Sequence, residues 1–173
     1  MTPPAVDGAR TPAAVAREAF DAVIARDPEA IVRLGAPDVR DHVVAVGELR
    51  GRREVRRFFE EVFSAFPDFT MTVDRIVSDE RTAVVQWHAT GTFSGRPFLG
   101  AVATGRRVAL KGVDVMEIDA GMIRRNTIYY DGATMARQVG LLPRRDSIAD
   151  RTVLAAVNVR TRIARVVERT LGR

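Results

Sequence analysis

The 173-residue sequence predicts an α+β domain in which three helices cover one face of a curved antiparallel or mixed sheet, followed by an extra C-terminal helix. Three observations carry this reading. Apolar residues recur at helical spacing through Phe66, the period switches to two between Phe69 and about residue 130, and a helical pattern with a basic excess returns after Pro143. Helices followed by a meander of strands define the α+β class.

Each element has its own signals. Thr11 and Pro12 read as an N-cap and a first-turn proline, and Val15, Ala19, Val23 and Ile24 keep helical spacing up to Arg26. Asp27-Pro28 repeats that start for a short helix to Leu34, ended by Gly35. Val39 to Val46 alternates as a strand. After Gly51, Val55, Phe58, Phe59, Val62, Phe63 and Phe66 stand at i, i+3, i+4, i+7, i+8 and i+11, an amphipathic stripe that Pro67 stops. Strands follow near 69–78, 82–93, 106–118 and 122–130, separated by Ser78-Asp79-Glu80, a Gly/Pro-rich loop and Ala120-Gly121. From Ser147, Thr152, Ala155, Val159, Ile163 and Val166 share one side of a helix, with Arg160, Arg162, Arg165 and Arg169 around the rest. The expected organisation is a disordered tail at 1–10, a domain at 11–143 and a basic amphipathic helix at 144–173.

Composition narrows the function. With 46% hydrophobic residues the chain can bury one core. The absence of cysteine excludes disulfides and thiolate chemistry. No N-terminal signal run and no stretch long enough to span a bilayer is present, so a soluble cytoplasmic protein is expected. The net charge of +5 lies in residues 144–173, where eight arginines face three acids, leaving 19 basic and 19 acidic groups in the body. A neutral body and a tail without stacking aromatics argue against nucleic acid as a partner. The tail stripe is expected to pack on the body or across a dimer interface.

Strand parity selects the candidate chemistry. Asp114 shares a face with Val108, Leu110, Met116 and Ile118. Desolvation there raises its pKa toward the range of a general base, unless a bulge turns it outward or a hydrogen bond satisfies it. Asp131 shares parity with Ile123, Thr127 and Tyr129, so an inward Ile123 brings Asp131 to a pocket rim; before Gly132-Ala133-Thr134 the alternative is a helix N-cap. Trp87 groups with Ala83, Val85 and Ala89 and is expected inward, which leaves His88 outward but still a candidate substrate contact. His42 is a candidate pocket residue on the first strand, and Phe59 and Phe66 are candidate floors for a flat aromatic ligand. Neither histidine has metal-ligand spacing, no serine lies in an elbow motif, and no glycine run cradles phosphate, so no metal and no cofactor is expected.

Phe66-Pro67-Asp68, Gly91-Thr92-Phe93-Ser94-Gly95, and Asp119-Ala120-Gly121-Met122-Ile123 leading to Asp131 and Gln138-Val139-Gly140-Leu141 occur in an order that resembles the SnoaL-like polyketide cyclases over about residues 11–142. Phe93 stands where that family usually has His, and Glu117 where it commonly has Arg. The resemblance implies a cone-like fold, a small apolar or aromatic substrate, secondary metabolism, a homodimer and a cofactor-free intramolecular aldol-type closure with Asp131 as acid/base. It places His42 in the pocket. Epoxide opening or double-bond isomerisation, with Asp114 and Arg125 or Asp131 holding a water, and a non-catalytic binding or assembly module remain alternatives.

Overall fold

The computed structural model describes the backbone of residues 10–171 and the side chains of residues 10–162. Thr11 caps α1 (Pro12–Ile24) by accepting from the Ala14 N–H, and Asp27 caps α2 (Pro28–Leu34) through the Ala30 N–H. The third helix, α3 (Gly51–Ala65), ends at the turn before Pro67. Six strands, β1 (Gly35–Val43), β2 (Gly47–Arg50), β3 (Thr70–Ser78), β4 (Thr82–Thr92), β5 (Arg107–Asp119) and β6 (Met122–Tyr130), form an open sheet in the order β2-β1-β6-β5-β4-β3. All neighbours are antiparallel except β1 and β6, so the sheet is mixed. The chain continues into α4 (Gly132–Val139) and α5 (Ile148–Leu171). The expected α+β class and element order hold. One strand was missed: β2 has four residues with Leu49 as its one apolar side chain between Glu48 and Arg50, too short for an alternation to show.

The main core lies between α1, α2 and α3 and one face of the sheet, where Val15, Phe20, Ile31 and Phe63 meet Val43, Val85, Met116 and Ile128. Beside it a second cluster gathers Ala65, Phe66, Phe93, Phe98, Val108 and Val139. Phe93 is almost fully buried and stacks on Phe66 at 5.3 Å between ring centres, so the side chain that departs from the family's His is a packing group. The ordered motifs also have structural work. Asp68 accepts from the Thr92 N–H at 2.6 Å and its hydroxyl at 2.7 Å, locking the end of α3 to the end of β4. Gln138 of α4 makes an amide pair with Ala109, receiving its N–H at 2.8 Å and donating to its carbonyl at 3.0 Å. Since β6 pairs with β5 only from Gly112 onward, Gln138 stands in for a missing strand at that edge. Gly140 then closes α4 with φ +87°, a left-handed conformation that glycine adopts without strain.

The basic helix forms, but its described half does not pack on the body: Ile148 is 84% exposed, and Val153, Leu154, Val157 and Val159 each keep about half their surface in solvent. The side chains of Ile163 and Val166 of the expected stripe, and residues 1–9 of the expected tail, lie outside what the structure describes. Arg10, the last residue of that tail, pairs with Glu18 at 2.6 Å. Among the described residues no helix is long and apolar enough to cross a membrane.

Candidate active site

Among the described residues the buried polar side chains are Asp41, Asp114 and Asn126, and all three line one cavity of about 160 Å³ between the helices and the sheet. The rest of its wall is mainly apolar, with Phe20, Phe58 and Phe59 from the helices and Met116 and Ile128 from the strands. Buried polar groups cost stability unless they are paired, so three of them converging in such a wall mark a site.

Sheet register brings them together. Asp41 on β1 is the direct neighbour of Asn126 on β6, and Asp114 on β5 neighbours Ile128 on β6. Asp114 is inward, as its parity requires, and accepts two hydrogen bonds: Trp87 Nε1–H donates to Oδ1 at 2.7 Å and Asn126 Nδ2–H donates to Oδ2 at 2.8 Å. The indole reaches it by lying over Gly112, where an added Cβ would sit 2.2 Å from the ring. Only a residue without a side chain fits at that crossing.

Asp41 differs in that no protein donor reaches its carboxylate among the described residues. Burial, and then the Asp114 charge, raise its pKa from 3.8 to about 7. Burial also raises Asp114, to about 6, and the Asn126 and Trp87 hydrogen bonds oppose that rise. The two donors favour the anion at Asp114, whereas the dry, donor-free setting of Asp41 favours the proton there. Asn126 is consistent with this division. Its Nδ2 is committed to Asp114 while its buried Oδ1 has no partner, and a neutral Asp41 carboxyl, its register neighbour, carries the proton such an oxygen requires. Tyr130 also lines the cavity, and burial raises its phenol above the ordinary value.

Other sequence-selected residues divide between the cavity and the surface. Trp87, Phe59, Phe66 and Met116 line the cavity with Asp114. Asp131 does not: it is the solvent-exposed N-cap of α4, accepting from the Thr134 N–H at 2.9 Å and from its hydroxyl, which holds its carboxyl below the usual range. Tyr129 is 51% exposed on the opposite face. The cause is a bulge. Ile118 pairs with Ile123 while Glu117 pairs with Arg125, so Arg124 is an extra residue, and beyond it Asn126, Ile128 and Tyr130 turn inward in place of Thr127, Tyr129 and Asp131. His42 is exposed and points away from the core, because β1 buries Val39, Asp41 and Val43. His88 lies on the outer face, with Nδ1 2.7 Å from Asp74 Oδ1. Arg125 is at the surface 3.8 Å from Glu117, and among the described residues no arginine lines the cavity with Asp114.

Sequence reasoning therefore missed Asp41 and Asn126. The first had a signal, since Asp41 sits between Val39 and Val43 at the same parity. The second was concealed by the bulge. No group of three His, Cys, Asp or Glu among the described residues could hold a metal ion.

An open mixed sheet with three helices over a buried polar cluster is the arrangement of the nuclear transport factor 2-like fold. The chain matches a Burkholderia pseudomallei protein of that fold and unknown function with a TM-score of 0.62 at 24% identity, over 73% of this chain and 95% of the other. The family model for SnoaL-like polyketide cyclases matches residues 14–139, and the chain belongs to that family. IdmH of Streptomyces antibioticus, an assigned polyketide cyclase, is similar at 26% identity with a TM-score of 0.64, over 76% of this chain and 99% of IdmH. An assigned ketosteroid isomerase of Kribbella flavida is similar at 28% identity with a TM-score of 0.52, over 68% of this chain and 76% of the other. No curated protein matches the sequence.

Proposed function

We propose that the protein is a cofactor-free cyclase that closes a ring on a small apolar, polyketide-type substrate by general acid/base catalysis, with Asp41 as the proton carrier. The observation that carries this reading is the pair of buried carboxylates, Asp41 and Asp114, facing one apolar cavity. A catalytic acid/base works best with a pKa near the working pH, and Asp41 combines such a value with a carboxylate that no donor among the described residues occupies. Asp114, tied to Trp87 and Asn126, positions the pair and keeps the Asp41 pKa high.

In the forward direction the Asp41 carboxylate removes a proton from a carbon flanked by two carbonyls. The enolate carbon attacks a third, more distant carbonyl of the same chain, the new C–C bond leaves an alkoxide, and the Asp41 carboxyl returns its proton to that oxygen. No electrons are exchanged with any other group. The Tyr130 hydroxyl on the same wall is a donor for the developing enolate oxygen. Such a substrate activates its own C–H bond, so positioning supplies much of the rate.

Isomerisation of a β,γ-unsaturated ketone is the second reading. It needs the same single carrier, moving a proton from carbon to carbon, and the similarity to an assigned ketosteroid isomerase favours it. Epoxide opening loses support with Arg125 outside the cavity. Both enolising readings predict that the protein accelerates deuterium exchange at the α-C–H of a β,γ-unsaturated ketone in D₂O above its slow uncatalysed rate, followed by NMR, and that Asp41→Asn abolishes the acceleration. Exchange unaltered by that substitution would remove Asp41 from the chemistry. Product analysis with linear poly-β-ketones against β,γ-unsaturated ketones then separates the two.

We also propose a homodimer formed through the outer sheet face. Val77 and Tyr129 are about half exposed there, and Val84, Val113 and Val115 are only partly covered. Light scattering gives the mass that decides it.

A further inference from the structure

From Arg151 to Arg162 every residue of α5 is exposed, so this stretch of helix packs on nothing in the domain. Its start is fixed by its own residues. Ser147 Oγ accepts from the Asp150 N–H at 3.1 Å, and Asp150 Oδ2 accepts from the Asp146 N–H at 3.1 Å. An isolated helix is marginal in water, and most helices in proteins are held by burying an amphipathic face. Such a face is present. Ile148, Thr152, Ala155 and Val159 stand at i, i+4, i+7 and i+11 on one stripe, with Arg151 and Arg162 along one flank and Arg160 along the other. Beyond Arg160, Val153 and Val157 widen the apolar side. Residues 144–173 also hold the whole net charge of the chain, eight arginines against three acids.

We propose that α5 lies flat on an anionic lipid bilayer, with its apolar stripe at the acyl boundary and its arginines on lipid phosphates, and so holds the domain at a membrane surface. Charge complementarity sets the sign of the partner, since a segment of net +5 seeks an anion. A second copy of the helix would set +5 against +5. Nucleic acid would engage the arginines but leave Ile148, Val153, Val157 and Val159 in water, and residues 144–173 hold no aromatic ring to stack on a base. A bilayer surface satisfies both sides at once. Arg160, set within the apolar side, has a stem long enough to lie along the acyl boundary while its guanidinium reaches the headgroups. The 24 residues of α5 give about 36 Å of helix for this contact.

The test is flotation of the full-length protein with vesicles of phosphatidylcholine alone and of phosphatidylcholine mixed equally with phosphatidylglycerol. The protein should float with the anionic vesicles only, and added salt should release it. An arginine at such a surface is worth about fivefold in affinity, so replacing Arg151, Arg160 and Arg162 together by Gln should weaken binding roughly a hundredfold. Val153→Asp combined with Val157→Asp puts charge on the apolar side and should also abolish flotation. All five side chains are exposed, so both variants should keep the thermal midpoint of the wild-type protein. Equal binding to both vesicles, binding to neither, or either variant floating like the wild type overturns the proposal. So does a single-stranded oligonucleotide that strips the protein from anionic vesicles at equal charge, or a mass in light scattering that falls in the valine variant, which would give α5 to nucleic acid or to a contact between copies. Flotation needs no turnover, so its outcome leaves the acid/base reading of the cavity as it stands.

Discussion

Replacing Asp41 by Asn should change how the fold responds to pH in a way set by the site's dryness. A carboxyl whose folded pKa is raised stabilises the fold, relative to its ionised form, while it stays protonated. That contribution erodes once pH exceeds the unfolded value and is gone above the folded one. For Asp41 the window runs from about 3.8 to about 7. Within it the folded state holds a proton that the unfolded state has released, so wild-type stability falls by about 1.4 kcal/mol per pH unit relative to a non-titrating side chain. Across the window the difference is on the order of 4 kcal/mol, less whatever Asp114 recovers as its charged neighbour is removed. Among the described residues no donor to the Asp41 carboxylate is lost in Asp41→Asn, and the new amide N–H can serve Asn126 Oδ1 in place of the carboxyl proton, which separates this effect from a broken hydrogen bond. Urea unfolding of both proteins from pH 4.5 to 8.5 should show the variant's advantage growing with pH and levelling off above about 7. A difference that stays flat across that range would mean Asp41 titrates as an ordinary hydrated carboxylate, and the argument for a dry proton carrier would fall with it.

Four further outcomes follow. Asp114→Asn removes the negative neighbour that helps raise Asp41, so the ionisation governing kcat/KM should move to lower pH, visible as a shifted acidic limb in the rate profile. Asp131→Ala should cost about 1 kcal/mol through the lost cap of α4, measured by urea unfolding, with kcat unchanged; a collapse in kcat at full stability would restore Asp131 to the chemistry. Gly112→Ala forces the indole of Trp87 off Asp114 and should destabilise the protein by about 1–3 kcal/mol with a shift in tryptophan emission. Truncation after Pro143 should leave the thermal midpoint of the remaining domain unchanged in calorimetry, because the described half of α5 packs on nothing in the body.

The fold was legible because its signals are local. The N-caps at Thr11 and Asp27, the phenylalanine stripe of α3 and the alternation of β4 and β5 each stand in a few consecutive residues. Asp114 and Trp87 could be placed on the same reasoning, since both strands keep an unbroken period of two. Half of the site was not legible, for two physical reasons. Arg124 adds one residue to β6 opposite Glu117 and Ile118, and nothing in Ile123-Arg124-Arg125-Asn126 announces that two successive arginines face solvent. On β1, the imidazole of His42 stands next to Asp41, but the apolar neighbours of Asp41 give the carboxylate the inward parity. Several family motifs, moreover, mark joints of the scaffold: Asp68 on Thr92, Gln138 on Ala109, and Asp131 at the start of α4.

The Gln138 amide pair has a consequence for behaviour in solution. Between Arg107 and Lys111, β5 has no partner strand on its β6 side, and the two bonds to Ala109 are a single side chain's substitute for one. An exposed strand edge is a template for pairing with other chains. Loss of Gln138 should therefore appear first as concentration-dependent aggregation, before any defect in turnover, and α4 doubles as a guard against self-association.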